Sequence, residues 1–300
     1  MSCPDRRLLL VARRRRRAKL LRTLLWVVLA PLSLGCHLDA PVLDRATLLA
    51  ERGRTTDAID LLEAHVREHP SALDERRLLI RLYGVAGNGA AAAAHAERLA
   101  ELLPAESPIP WLELGAACEL SHRYDDALAA YDRAASVAPR DPAGPKRGGM
   151  RAARWGELDL AEPRLHEALR RDPRDGEAWH ALGLVRAELG QLDAARQAYA
   201  AGIAADPDAL ENRLGLATVA LRLNDPAAAL AQYDLLLAAR PKFAAALLGK
   251  SWCQILMGDY GAAEATLAQA ERLGADHGSI ERQREELRAR AQPSVGARSP

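Results

Sequence analysis

Aromatic side chains are scarce in this sequence of 300 residues: they make up 4% of it, and Phe occurs once. A large β-sandwich or barrel draws much of its packing from aromatic and β-branched residues, so this scarcity argues against one. Cysteine is scarce too, with four in all. No CxxC pair, GxSxG nucleophile elbow or GxxxxGKS/T phosphate loop occurs, and nothing else marks a catalytic domain or a cofactor site. What is abundant is alanine and leucine, both good helix formers. With 49% hydrophobic and 27% charged residues, the chain can bury a core and is not a disordered polymer.

The formal net charge of +1 hides an asymmetry. Residues 1–35 hold Arg6, Arg7, Arg13, Arg14, Arg15, Arg16, Arg17, Lys19 and Arg22 against Asp5, a local +8 that leaves −7 for the rest. An acidic body lacks the basic stripe that displaces counterions, so no nucleic-acid partner is expected. The basic run precedes an apolar stretch from Thr23 to Leu34, the order of a secretory signal. The 13 uncharged residues from Thr23 to Gly35 are too few to span a bilayer as a helix. Leu32-Ser33-Leu34-Gly35-Cys36 resembles the lipobox of bacterial lipoproteins, although Ser33 stands where Leu is commoner. The resemblance implies that residues 1–35 are a removed signal peptide, that Cys36 carries lipid, and that residues 36–38 are a short tether. It places the protein in the bacterial envelope, membrane-anchored and facing the periplasm, with His37 rather than Asp after the Cys favouring the outer membrane. Cys118 and Cys253 read as small buried apolar residues.

A period of about 34 organises the remainder. Pro70, Pro104, Pro139, Pro173, Pro207 and Pro241 recur at spacings of 34 or 35. With each Pro set at position 32, units run 39–72, 73–107, 108–141, 142–175, 176–209, 210–243 and 244–277. Position 20 is then alanine in every unit: Ala58, Ala92, Ala127, Ala161, Ala195, Ala229 and Ala263. Position 15 is Gly53, Gly87, His122, Gly156, Gly190, Asn224 and Gly258, residue types that accept the left-handed conformation ending a helix. Each unit is therefore predicted to be two helices joined by a turn and stopped by proline. Small residues at position 8 (Gly115, Gly149 and Gly183 among them) and at position 20 let the helices approach closely. Tyr131, Tyr199 and Tyr233 at position 24 fill the gap to the next unit. The seventh unit departs from the pattern, with Lys250 where Leu is expected and Ala275 in place of Pro.

Trp111-Leu112-Glu113-Leu114-Gly115 and Trp179-His180-Ala181-Leu182-Gly183, followed by Ala127 and Tyr131 or Ala195 and Tyr199 and a closing proline, resemble the tetratricopeptide repeat. The resemblance covers residues 39–277 and implies an all-α solenoid of antiparallel helix pairs, about seven units. Such units bury their apolar faces only against neighbours, so an end cap is required. Residues 278–291 supply it, with Ile280, Leu287 and Ala291 inward and Arg284 among the residues facing water. Residues 292–300 read as a disordered tail. Pro145, Gly148 and Gly149 in the fourth unit are expected to weaken its first helix.

Two kinds of site residue stand out. His65-Val66-Arg67-Glu68-His69 reads H-x-x-E-H, a metallopeptidase pattern, which offers a metal-dependent hydrolase as one reading. In the repeat frame, His65 is instead a packing position of a second helix. The resemblance implies a concave groove lined by positions 2, 5, 9, 12 and 13 of the first helices. Arg77, Arg81, Leu112, Lys146, Met150, Arg154, His180, Leu184, Leu221, Arg222, Leu248, Trp252 and Ile255 occupy such positions. This mixture is apolar with several cations, and suits an apolar segment of a partner protein. Asn212 is placed off the groove, so the asparagine-based clamp that holds acidic C-termini in some members of this family is incomplete. The favoured reading is a non-catalytic, lipid-anchored interaction scaffold that assists assembly of a secretion, pilus or other envelope complex, resembling pilotins in architecture. A soluble intracellular adaptor is the remaining alternative.

Overall fold

The computed structural model describes residues 41–291. Cys36, the preceding signal-like segment and residues 292–300 lie outside the described residues. Among the described residues there are 15 α-helices and no strand. None of these helices is long and apolar enough to cross a membrane.

The chain divides into two compact units, one ending at Leu102 and the other beginning at Leu103. The first holds α1 (Val42–Glu51), α2 (Thr55–Glu68), α3 (Leu73–Val85) and α4 (Gly89–Leu102). The second holds α5 (Ile109–Leu120), α6 (Tyr124–Val137), α7 (Ala143–Trp155), α8 (Leu158–Arg171), α9 (Gly176–Glu188) and α10 (Leu192–Ala205). It continues with α11 (Leu210–Arg222), α12 (Pro226–Ala239), α13 (Ala244–Leu256), α14 (Tyr260–Arg272) and α15 (His277–Ala291). Within each unit, odd- and even-numbered neighbours pair, as the repeat frame requires.

The turns inside the pairs form as the sequence predicts. Gly53, Gly87, Gly156, Gly190 and Gly258 all have positive φ, and so do His122 at 57° and Asn224 at 59°. A β-carbon is strained in that region, and Asn and His are among the residues that bear it best. The seven alanines at position 20 are all fully buried. Gly274, also at positive φ, ends α14 where the seventh unit has no proline.

The small residues of the first helices have a measurable reason. A β-carbon on Gly115 would stand 2.5 Å from the Tyr131 ring, and one on Gly183 would stand 2.5 Å from the Tyr199 ring. The same Tyr199 ring abuts Gly215 in the following pair, so each tyrosine is a wedge shared by two units. Tyr131 and Tyr199 are 1% exposed. The glycines of the fourth unit have a packing role as well. Gly144 lies against the α6 backbone at Ala135, and Gly149 faces Leu165 at 2.7 Å from a β-carbon position. These glycines give up helix propensity but permit a close approach of α7 to both neighbours.

Polar side chains close the helix ends. Pro173 O accepts from Trp179 Nε1 at 2.9 Å, and Pro70 O accepts from Arg76 Nη2 at 3.1 Å. Both donors stand at position 4 of the unit after the proline. Arg171 donates to the carbonyls of Ala135, Ala138 and Asp141, satisfying acceptors that the end of α6 leaves free. Asp175, Asp225 and Asp259 each accept a backbone N–H at the start of α9, α12 and α14, a cap that contributes about 1 kcal/mol.

At the far end, α15 buries Ile280 completely. Gln283 joins it to α13 by donating to Leu248 O at 3.0 Å and accepting from Ser251 Oγ at 2.6 Å. Arg284 does not face water as expected. It packs over α14, where it pairs with Glu264 and Glu271 as well as with Glu281 on its own helix. Lys250, the outlier of the seventh unit, reaches Asp234 at 2.7 Å.

Candidate functional site

The first helices α7, α9 and α11 stand side by side and leave a groove of about 690 Å³ between their exposed faces. Four residues expected from the sequence line it together: Met150 and Arg154 on α7, and His180 and Leu184 on α9. Leu184 is the most telling of them, a large aliphatic side chain left 46% exposed at mid-groove. The floor is completed by Ala153, Leu158, Ala181 and Val185. Alanine alternates there with larger aliphatic residues, which keeps the floor apolar.

The frame positions differ in accessibility. Position 9 is open or half-open at Arg81, Met150, Leu184 and Trp252. Position 12 varies: Ala153 lines the groove, Leu221 is half-buried against the cluster of Tyr233 and Leu236, and Ile255 is fully buried in the α13 core, which corrects its assignment. Leu112, at position 5, is also buried. Leu248 and Trp252 are half-buried on α13, away from the α7–α11 groove.

The expected cations are mostly engaged. Lys146 bridges Asp175 at 2.8 Å and Glu177 at 2.7 Å, and these bonds outweigh the effect of its burial and raise its pKa. Arg222 donates to Ala187 O at 2.8 Å, capping the end of α9 rather than standing ready for a ligand. Arg77 pairs with Asp74, and Arg81 is exposed on α3. Arg154 is the cation that lines the groove.

Several groove residues were missed. Asn212, placed off the groove from its frame position, lies beneath it, fully buried, with its Nδ2 donating to Gly176 O at 3.0 Å. Its amide fills the space that Gly202 leaves. Glu177, Glu188, Asp206 and Glu211 form the rim. Glu177 and Glu211 at position 2, and Glu188 at position 13, occupy frame positions already assigned to the groove, so the signal was present in the sequence. Burial lowers the pKa of His180 despite the charges of Glu211 and Glu177, so its imidazole stays neutral at neutral pH.

The H-x-x-E-H residues do not assemble a catalytic centre. The His65 and His69 rings lie 4.5 Å apart, but His65 Nε2 faces Glu75 at 3.7 Å, and Glu68 and His69 are exposed at the end of α2. No cluster of three His, Cys, Asp or Glu side chains able to hold a metal ion occurs among the described residues. Cys118 and Cys253 are free thiols in the core, and burial pushes both thiol pKa values up.

The first unit carries a buried polar cluster that the repeat frame gave no hint of. Glu63 Oε1 accepts from Tyr83 OH at 2.7 Å and meets His95 Nε2 at 2.8 Å, while Arg76 Nη1 lies 3.2 Å from His95 Nδ1. The arginine has only donors, so His95 Nδ1 accepts and Nε2 carries the proton to Glu63. Burial raises the Glu63 pKa, but the bonds from Tyr83 and His95 outweigh it and hold the group below its ordinary value.

The array of helix pairs leaves one open face with an apolar floor. Residues 147–209 and 214–277 match the tetratricopeptide repeat family model. Those residues are similar to that repeat, and the fold is an all-helical array of antiparallel helix pairs of the same kind. Among solved structures, the chain is similar to pilF of Pseudomonas aeruginosa at 20% identity and a TM-score of 0.53, over 71% of this chain and 98% of that one. It is also similar to the MamA protein at 18% identity and a TM-score of 0.52, over 64% and 98%. At these identities the likeness is one of fold. No curated protein sequence matches the chain.

Proposed function

We propose that the protein is a non-catalytic scaffold, tethered to a membrane of the bacterial envelope through lipid on Cys36, which holds a segment of a partner protein in the α7–α11 groove. Its work is assembly of a secretion, pilus or other envelope complex. The observation that carries the binding part is Leu184, exposed on a rigid helix above an apolar floor, with Met150 beside it. Exposed aliphatic groups in a concave setting suit an apolar segment, and ordering it on preformed helices limits the entropic cost of binding. The observation that supports the tether is the succession of arginine run, short apolar run, Gly35 and Cys36.

Two experiments test these parts separately. Cys36→Ala should abolish lipid labelling and move the protein from the membrane to the soluble fraction; unchanged membrane association would refute the tether. A photo-crosslinker at position 184 should capture a membrane-fraction partner that the same probe at exposed Leu235 does not. Equal capture from both positions would refute the groove as the site.

A further inference from the structure

The groove has a charge of its own, and it identifies the chemistry of what the groove holds. Four carboxylates line it, from Glu177, Glu188, Asp206 and Glu211, against the single guanidinium of Arg154. Lys146 neutralises Glu177 from the side. No cation lies within ion-pair distance of Glu188, Asp206 or Glu211 among the described residues, and none is provided by His180, which burial keeps neutral. The N-termini of α9 and α11 oppose this with roughly half a positive charge each. Glu188, Asp206 and Glu211 stand exposed along the edge of the apolar floor, where a basic flank of a bound segment would meet them.

Asp206 accepts the backbone N–H of Asp208, while Glu188 and Glu211 stand open at the rim. We infer, building on the proposed groove function, that the occupant is an apolar segment flanked by lysine or arginine on a separate protein, and that acidic segments are rejected. With first helices 8–10 Å apart, three of them span roughly 20 Å, the length of about 13 helical residues. The apolar side chains seat on Leu184 and Met150, and the basic flanks meet Glu211 and Glu188.

Fluorescent 14-residue peptides test this on the full chain. All carry leucines in the same helical pattern, and differ only in having Lys, Gln or Glu at the flanks. The Lys peptide should bind at least tenfold tighter than the Glu peptide, with Gln between them and the gap narrowing at high salt. Glu188→Lys with Glu211→Lys should reverse the order. Glu51→Lys with Asp125→Lys, an equal charge change on exposed residues away from the groove, should not. An order that ignores the groove reversal, or follows the remote one, overturns the inference while leaving the groove intact as a site. Leu184→Asp should weaken all three peptides. If it changes none of them, the groove reading itself fails. Self-association abolished by Leu184→Asp would make the occupant a second copy. Crosslinks from position 184 to residues 1–40 of the same chain would make it the chain's own leader. Either result overturns the inference.

Discussion

The two units are built on the same repeat frame but fill their helix interfaces with different chemistry. Around α9, the wedge is Tyr199, a dry ring held between Gly183 and Gly215. Around α3, the wedge position holds Leu62, fully buried, and the bonded set of Glu63, Arg76, Tyr83 and His95 stands beside that packing. The frame dictates where the backbone bends and where small residues must stand. It does not dictate whether hydrogen bonds are added to the packing. Packing tolerates acid and salt but not loss of volume; a polar cluster tolerates neither loss of a partner nor change of protonation.

Substitutions should separate the two modes. The largest effect is expected at Tyr199→Ala, which empties a wedge between two units and should cost about 3–5 kcal/mol in a denaturant titration of the second unit. A loss under about 1 kcal/mol would mean that neighbouring helices collapse into the space. His95→Ala should cost about 1–3 kcal/mol, because Arg76 and Glu63 both lose a buried partner. His95→Gln, which can still donate and accept, should recover part of that loss. Arg222→Ala should cost about 1 kcal/mol by removing one of the two donors to Ala187 O, which also accepts the Gly190 N–H. A lower thermal midpoint at unchanged peptide affinity would separate this structural role from ligand binding.

The smallest differences are expected with pH. His180 has its folded pKa below the ordinary 6.5, so the unfolded chain takes up the proton first. Its contribution is complete above about pH 6.5 and is lost as pH falls toward the folded value. Glu63 also has a folded pKa below its ordinary 4.5, so its contribution holds down to about that pH and is lost only below it. On acidification, the α9 region should therefore weaken before the first unit does. Hydrogen exchange measured at pH 7, 5.5 and 4 checks the order, and His180→Gln should remove the early loss.

The sequence made the turns and the packing legible because each follows from a single backbone demand repeated seven times. Positive φ at His122 and Asn224 was readable even without glycine, since the period named the position. Ile255 departs from the expectation because position 12 sits on the flank of the first helix, facing the groove at Ala153 and the core at Ile255. Arg222 departs for another reason: a cation near the end of a helix reaches a terminal carbonyl of its neighbour before it meets a ligand. Glu177, Glu188 and Glu211 stand at groove positions of the frame and are legible there, whereas Asp206, at position 31, is not. The cluster at His95 could not be read, because its members come from three helices and share no period.

The central claim is that Leu184 is exposed for binding and Tyr199 is buried for stability, on opposite faces of one repeat. The most direct test measures thermal midpoint and Lys-peptide affinity together for Leu184→Asp and Tyr199→Ala. The account expects Leu184→Asp to lose at least tenfold in affinity with its midpoint nearly unchanged, and Tyr199→Ala to lose stability first. A Leu184→Asp protein that unfolds as readily as Tyr199→Ala, or that binds the peptide as the parent does, would contradict it.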